Sequence, residues 1–277
     1  MRRTASVPAR INIIGEHTDR FGGMALSFPS QHRLVLSASR SRSGAIGDPV
    51  VVRLWESAGG WDAELKVQSE IPIGAGMSSS AALCVAVAMC SGNFDGEMDV
   101  SLEAQRIEHE VLDSDCGLLD QIAITHSTKG HATLIDFDRM SVSEFRVPSD
   151  WLFKLVDTGI RRNLRETDYN SSEVCKETRV MHTLLESERV REALHCDVNR
   201  LGKLLNQSHA SIRDNLRAST PAIDNLVTEV QETPGVLGAR LMGGGYGGMI
   251  LALIEKEDAL SGELLLPSAS AFIEEAP

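Results

Sequence analysis

Four short stretches hold the residues whose types and spacing could do chemistry. In residues 72–82, Gly74 and Gly76 precede three hydroxyls, Ser78, Ser79 and Ser80, and an alanine-containing apolar run. Glycines let successive backbone N–H groups turn inward, and a helix N-terminus adds partial positive charge, so such a loop can bind phosphate without lysine. The hydroxyls could cap the helix or meet phosphate oxygens and Mg²⁺; a plain glycine turn with a serine N-cap accounts for the same residues. No Gly-Lys-Ser/Thr ends the run, so it is not a Walker A loop. A second cluster, residues 241–248, is dense in glycine and runs straight into an apolar strand pattern. So much glycine is entropically costly, and close backbone approach explains it better than a surface hairpin does.

The third stretch, residues 8–23, brings Arg10 and then Glu16, His17 and Asp19 to the end of an apolar run, just before Gly22 and Gly23. Acceptors and an imidazole on one loop suit the binding of several vicinal hydroxyls, and a solvated acidic loop is the alternative. The fourth is residues 116–121, in which Asp120 stands among apolar neighbours. A carboxylate there must be paired, whether it is catalytic or a structural hydrogen-bonding residue.

These pieces need elements to hold them. Residues 33–39 and 50–54 are β-branched and apolar and predict strands, with turns at 44–49 and 57–60. Residues 78–90 are small and apolar all round and predict a buried helix; 101–112 predict another, with Ile107 and Val111 facing inward. Strands are expected at 131–137, 152–157 and 248–254. Helices are expected at 171–194, 199–216 and 220–232, the last bracketed by Pro221 and Pro234. Strands and helices mix without strict alternation, which favours α+β over a doubly wound parallel sheet. A weak boundary after residue 147 divides the chain into 1–147 and 148–277.

Composition narrows the partners. The 277 residues carry a formal net charge of −12 and are only 4% aromatic. That disfavours nucleic acid, which calls for a basic footprint and stacking platforms. With 42% hydrophobic and 24% charged residues the chain reads as soluble and globular. Its apolar runs are too short to cross a bilayer, and no signal-peptide hydrophobic region follows Arg3. The five cysteines form no CxxC pair, so no disulfide framework is expected. The expectation is a cytoplasmic protein acting on small molecules, without membrane or nucleic-acid partners, as a monomer, with an oligomer left open.

In their order along the chain, the stretches resemble the GHMP small-molecule kinases and, within them, the galactokinase branch. Residues 8–19 look like that branch's sugar signature, 72–81 like its phosphate loop and 241–248 like its third motif. Residues 116–121 and 129–136 resemble the segment holding its catalytic aspartate; 158–164 through Tyr169, and 208–214, are also similar. The resemblance runs from Pro8 to Leu253. It implies a two-lobed fold, with an N-terminal ribosomal-S5-like lobe and a C-terminal ferredoxin-like lobe. It also implies ATP-dependent phosphorylation of the anomeric hydroxyl of galactose, with Mg²⁺. The implied roles are Asp120 as proton acceptor and Arg10 as the cation steadying it and the phosphoryl group. Glu16, His17, Asp19, Gly117 and Tyr169 fall on the sugar. Gly74, Gly76, Ser78, Ser79 and Ser80 fall on the nucleotide, and Ser80 and Glu108 on the metal.

Four departures from the family pattern stand out. Ala9 replaces a glycine, Arg20 an aromatic residue and Met242 a hydroxyl residue. The segment between Glu16 and Ser78 is short, which leaves the base pocket unassigned, with Trp55 or Trp61 as candidates to fill it. N-acetylgalactosamine, L-arabinose and galacturonate are alternative acceptors. Glu16 would repel galacturonate, and Arg20 could offset that. A non-catalytic galactose sensor is a further alternative, disfavoured by the complete run 78–82 and by Asp120.

Overall fold

The computed structural model describes residues 2–161 and 174–274. Its first sheet is built on a long antiparallel hairpin, β1 (Arg2–Ile14) and β2 (Met24–Arg40), whose connecting loop carries Glu16 to Asp19. Strand β1 is buried nearly throughout, as expected of a central strand covered on both faces. Its register shifts between Pro8 and Arg10 and again between Asn12 and Ile14. Such bulges re-aim side chains next to functional sites, and Pro8, which has no N–H to give a ladder, suits one.

Strand β3 (Ala63–Ser69) pairs with the distal part of β2, while β4 (His131–Asp136) pairs with its proximal part and with β5 (Ser141–Arg146). The second sheet is antiparallel and three-stranded, in the order β6 (Leu152–Asp157), β8 (Met249–Ile254), β7 (Val236–Leu241). The last strand, β9 (Phe272–Glu274), returns to the first sheet and pairs with Thr4 to Ser6 of β1.

One predicted element changes type. Residues 50–54 lie not in a strand but in helix α1 (Pro49–Ser57). Asp48 caps it by accepting from the N–H groups of Val50 and Val51, and Pro49 occupies the first turn. Its buried residues Val51, Leu54 and Trp55 fall at helical spacing, a period that the β-branched run conceals.

Helix α2 (Ser79–Ser91) is buried on almost every side, and α3 (Glu97–Leu112) packs beside it with Ile107 fully buried and Val111 half-buried. A short helix, α4 (Leu119–Thr125), which the sequence pattern did not reveal, carries Asp120 in its first turn. Helices α5 (Lys176–Ala193), α6 (Val198–Asp214) and α7 (Pro221–Glu232) fall where periodicity predicts them. Ile223, Val227 and Val230 of α7 make a core with Leu241 and Ile250 of the second sheet.

Candidate active site

The loop from β1 to β2, the loop before α2, the end of α3, the start of α4 and the glycine loop before β8 converge on one cavity of ≈ 440 Å³. Arg10, Glu16, His17, Asp19, Gly74, Gly76, Ser78, Ser79, Ser80, Glu108, Gly117 and Asp120 all line it. Every sequence-predicted site residue is therefore in one place except Tyr169, which lies outside the described residues. Gly243 and Gly244 of the third motif also line it.

Arg10 is the hub of this cavity. Its Nε donates to Asp120 Oδ1 at 2.7 Å and its Nη1 to the carbonyl of Gly76 at 3.1 Å, while Nη2 lies 3.7 Å from Glu16 Oε2. The pairing answers the cost of a carboxylate on an apolar helix, and the Asp120 side chain stays 30% exposed, open to the cavity. Glu16 is buried, which opposes its charge, but Arg10, Arg240 and the Gly243 N–H outweigh burial and hold its carboxyl at about 2. The Gly243 N–H donates to Glu16 Oε1 at 2.6 Å.

Glu108 has the opposite environment. Burial lifts its carboxyl to about 7; Asp120 adds to the lift, and hydrogen bonds from Ser80 and Gln121 only partly oppose it. The Gln121 side chain donates to Glu108 Oε2 at 2.8 Å. Burial also raises Asp19, against a hydrogen bond donated by the Leu119 N–H. Gly117 is dictated by contact, because a Cβ there would overlap the Asp19 carboxylate.

The glycine–serine loop before α2 does not use its first serine as a cap. Ser78 stands at φ 62 with no side-chain capping bond, and its Oγ is buried without a hydrogen-bond partner among the described residues. A buried orphan hydroxyl in a glycine loop is the expected trace of a group that accepts or donates there. The two glycine clusters lie backbone on backbone: a Cβ on Gly76 would press on the Met242 carbonyl at 2.8 Å, and one on Gly243 on the Gly76 Cα at 3.0 Å. Both glycines have positive φ. Close approach, rather than a free hairpin, is thus what the second cluster serves.

The donor set suits a magnesium ion. The Ser80 hydroxyl and the Glu108 carboxyl are adjacent hard oxygen donors, and Glu108 is buried without a cationic partner among the described residues. A small divalent cation held by one or two protein oxygens and by substrate phosphates matches that arrangement.

The departures sort themselves. Arg20 is paired with Asp115 at 2.8 Å, at the rim of a second recess. Met242 is fully buried in the core and does not line the cavity. Trp55 is also fully buried, donating to the Trp61 carbonyl at 2.7 Å, and neither tryptophan lines the cavity. Sequence reasoning assigned no role to Gln121 or Arg240. A lone arginine inside the apolar run 236–242 was the available signal for the second.

The sequence compares directly with known families. Residues 2–40 match the galactokinase galactose-binding signature, 45–128 the GHMP kinases N terminal domain and 190–262 the GHMP kinases C terminal domain. A galactokinase of Thermotoga maritima is 31% identical over 90% of this chain and 88% of its own length. The chain belongs to the galactokinase family of the GHMP kinases. A second galactokinase, from Thermotoga petrophila, is 30% identical with the same coverage. Among solved structures, the fold is shared with a Lactococcus lactis galactokinase complexed with galactose, at a TM-score of 0.85 and 21% identity over 98% of this chain and 95% of that one. A Methanococcus jannaschii mevalonate kinase shares it more distantly, at a TM-score of 0.69 and 17% identity over 91% and 90% of the two chains. The two-lobed GHMP fold expected of this galactokinase-family chain is thereby observed.

Proposed function

We propose that this protein transfers the γ-phosphoryl group of ATP to the anomeric hydroxyl of galactose, giving galactose 1-phosphate and ADP. The observation that carries the reading is the Arg10 fork, which touches Asp120 and the Gly76 carbonyl from one side chain. It puts a proton acceptor and a phosphate loop within one residue's reach. Asp120 takes the anomeric proton as the sugar oxygen bonds to the γ-phosphorus and the bridge to the β-phosphate breaks. Arg10 orients Asp120 and offsets negative charge on the transferring group.

Glu16, His17, Asp19, Gly117 and Tyr169 are assigned to the sugar, and Gly74, Gly76, Ser78, Ser79 and Ser80 to the nucleotide phosphates. Ser80 and Glu108 would hold Mg²⁺. When bound, that ion supplies charge neutralisation across the β- and γ-phosphates. The acidic surface is no obstacle, since backbone amides, one arginine and a metal set the local field.

Galacturonate is the weaker acceptor on this reading. Glu16 is fully ionised at neutral pH, and Arg20 is already engaged by Asp115. We take the lobes to divide near residue 147, with β9 as a return strand, and the protein to act as a monomer. A cytoplasmic setting is supported by five free cysteines among the described residues. No helix among those residues is long and apolar enough to cross a membrane.

A coupled ADP-release assay over a panel of sugars tests the proposal. Galactose should give the highest kcat/KM. Binding of both sugar and ATP without ADP release on any member would favour the sensor and sink the enzymatic reading; a clear preference for another sugar would replace galactose.

A further inference from the structure

Arg240 takes no part in the roles assigned above, yet it is among the largest side chains fully buried in the protein. A guanidinium can be buried only when its donors are met. Its Nε donates to the Ile13 carbonyl at 2.8 Å, Nη1 to the Leu241 carbonyl at 2.9 Å and Nη2 to the Asn12 carbonyl. The carbonyls of Asn12 and Ile13 end β1, where the chain turns into the loop bearing Glu16. Nη2 also reaches Glu16 Oε1 at 3.4 Å. One side chain of the second sheet thus grips both the strand end and the carboxylate that follows it.

The same oxygen is held from a second direction. The Gly243 N–H, three residues beyond Arg240, donates to Glu16 Oε1 at 2.6 Å. That satisfies Oε1, while Oε2 lies on the Arg10 side at 3.7 Å and Glu16 lines the cavity. Without Arg240, Arg10 would be the only guanidinium serving Glu16 among the described residues, and Arg10 is already committed to Asp120 at 2.7 Å. A guanidinium kept merely for packing would need the backbone carbonyls and not the carboxylate.

We propose that Arg240 is a positioning residue of the sugar subsite: it holds Oε1 of Glu16 from behind, so that Oε2 faces the ligand and Arg10 remains on Asp120. This rests on the reading of Glu16 as a sugar contact. The charged and titratable groups around Glu16 are Arg10 from β1, Arg240 from β7, His17 beside it, and His182 and Glu186 from α5. His182 Nε2 lies 3.0 Å from the Glu16 carbonyl, and Glu186 accepts from the Gly15 N–H at 3.1 Å.

The test is a double-mutant cycle on the full chain with Arg240→Lys and Glu16→Gln. Arg240→Lys should raise KM for galactose about tenfold while KM for ATP stays within about twofold. In the Glu16→Gln background the same change should add less than about twofold, because the path through Glu16 is already cut. Additive losses, or equal losses for both substrates, would overturn the proposal.

A readout without turnover comes from Arg240→Gln, with the Glu16 side-chain carboxyl followed by ¹³C NMR from about pH 8 to about pH 4. It should stay ionised in the wild type and titrate in the variant; a resonance flat in both would overturn the proposal. If the wild type fails on galactose, the functional reading falls and the NMR arm alone decides the role of Arg240. If neither variant folds, Arg240 is structural and the proposal fails.

Discussion

Glu16 and Glu108 are two glutamates facing one cavity, each only 3% exposed, yet their carboxyls settle at about 2 and about 7. Burial pushes both upward. Glu16 is met by Arg10, Arg240 and a backbone N–H, whereas Glu108 is met by the neutral donors Ser80 and Gln121 and faces Asp120. The Glu16 side of the cavity therefore carries its own countercharge, and the Glu108 side has only neutral donors beside that carboxyl among the described residues. The same residue type is held once as an ion pair and once as a carboxyl that takes up a proton, and on the proposed reading the second would share a metal ion with Ser80.

The widest break in that contrast is removal of the shared cation. Arg10→Met should lower kcat about a thousandfold, since it strips both Glu16 and Asp120 of their partner. It should also cost about 3–5 kcal/mol of stability, because Glu16 and Asp120 both lose the guanidinium that pairs them. Steady-state kinetics and thermal melting check the two effects; an active, equally stable variant would dissolve the hub assignment.

Glu108→Gln comes next. It should lower kcat/KM about a hundredfold and raise the Mg²⁺ concentration needed for half-maximal rate, the loss expected of one metal-binding side chain. It should not destabilise the metal-free protein. The folded value of Glu108 lies above its ordinary 4.5, so the native state holds a proton that the unfolded chain releases. Stability from this group is therefore greatest below about 4.5 and is lost as pH rises through about 7, by about 3 kcal/mol. Glu16 has the opposite sign: its contribution is present above 4.5 and lost as pH falls toward 2. Metal-free wild type should lose roughly 5–10 °C in Tm between pH 5.5 and 8, and Glu108→Gln should stay nearly flat. Parallel melting curves for the two would contradict the contrast.

The smallest effect tests the sugar wall. Gly117→Ala would place a methyl against the Asp19 carboxylate, so kcat/KM for galactose should fall about tenfold with KM for ATP unchanged. A change confined to the nucleotide would mean that Asp19 has been placed on the wrong substrate.

Much of the site was legible because its chemistry is local. Glycines 74 and 76 followed by hydroxyls, and Glu16, His17 and Asp19 on one loop, announce themselves by residue type at short spacing. So did the need of Asp120 for a partner, and Arg10, the residue named to steady it, proved to be that partner. The purpose of the second glycine cluster was only half legible: close approach was expected, but the group approached is the Gly76 backbone, known only once the two sheets meet. Helix α1 was misread because Val50 to Val52 favour strand locally, while the Asp48 cap and the burial of Leu54 and Trp55 decide for helix. Arg240 stayed without a role because its partners, Asn12, Ile13 and Glu16, lie at the other end of the chain.

The proposed role of Asp120 as proton acceptor is tested most directly by Asp120→Asn, measured for ADP release with galactose and for ATP binding. The side chain keeps its shape and a carbonyl oxygen for Arg10 but loses its basicity. Turnover should drop by about a thousandfold while the ATP dissociation constant stays within about twofold of wild type. Near-normal turnover by this variant would contradict the assignment of the base, and with it the mechanism built on the Arg10–Asp120 pair.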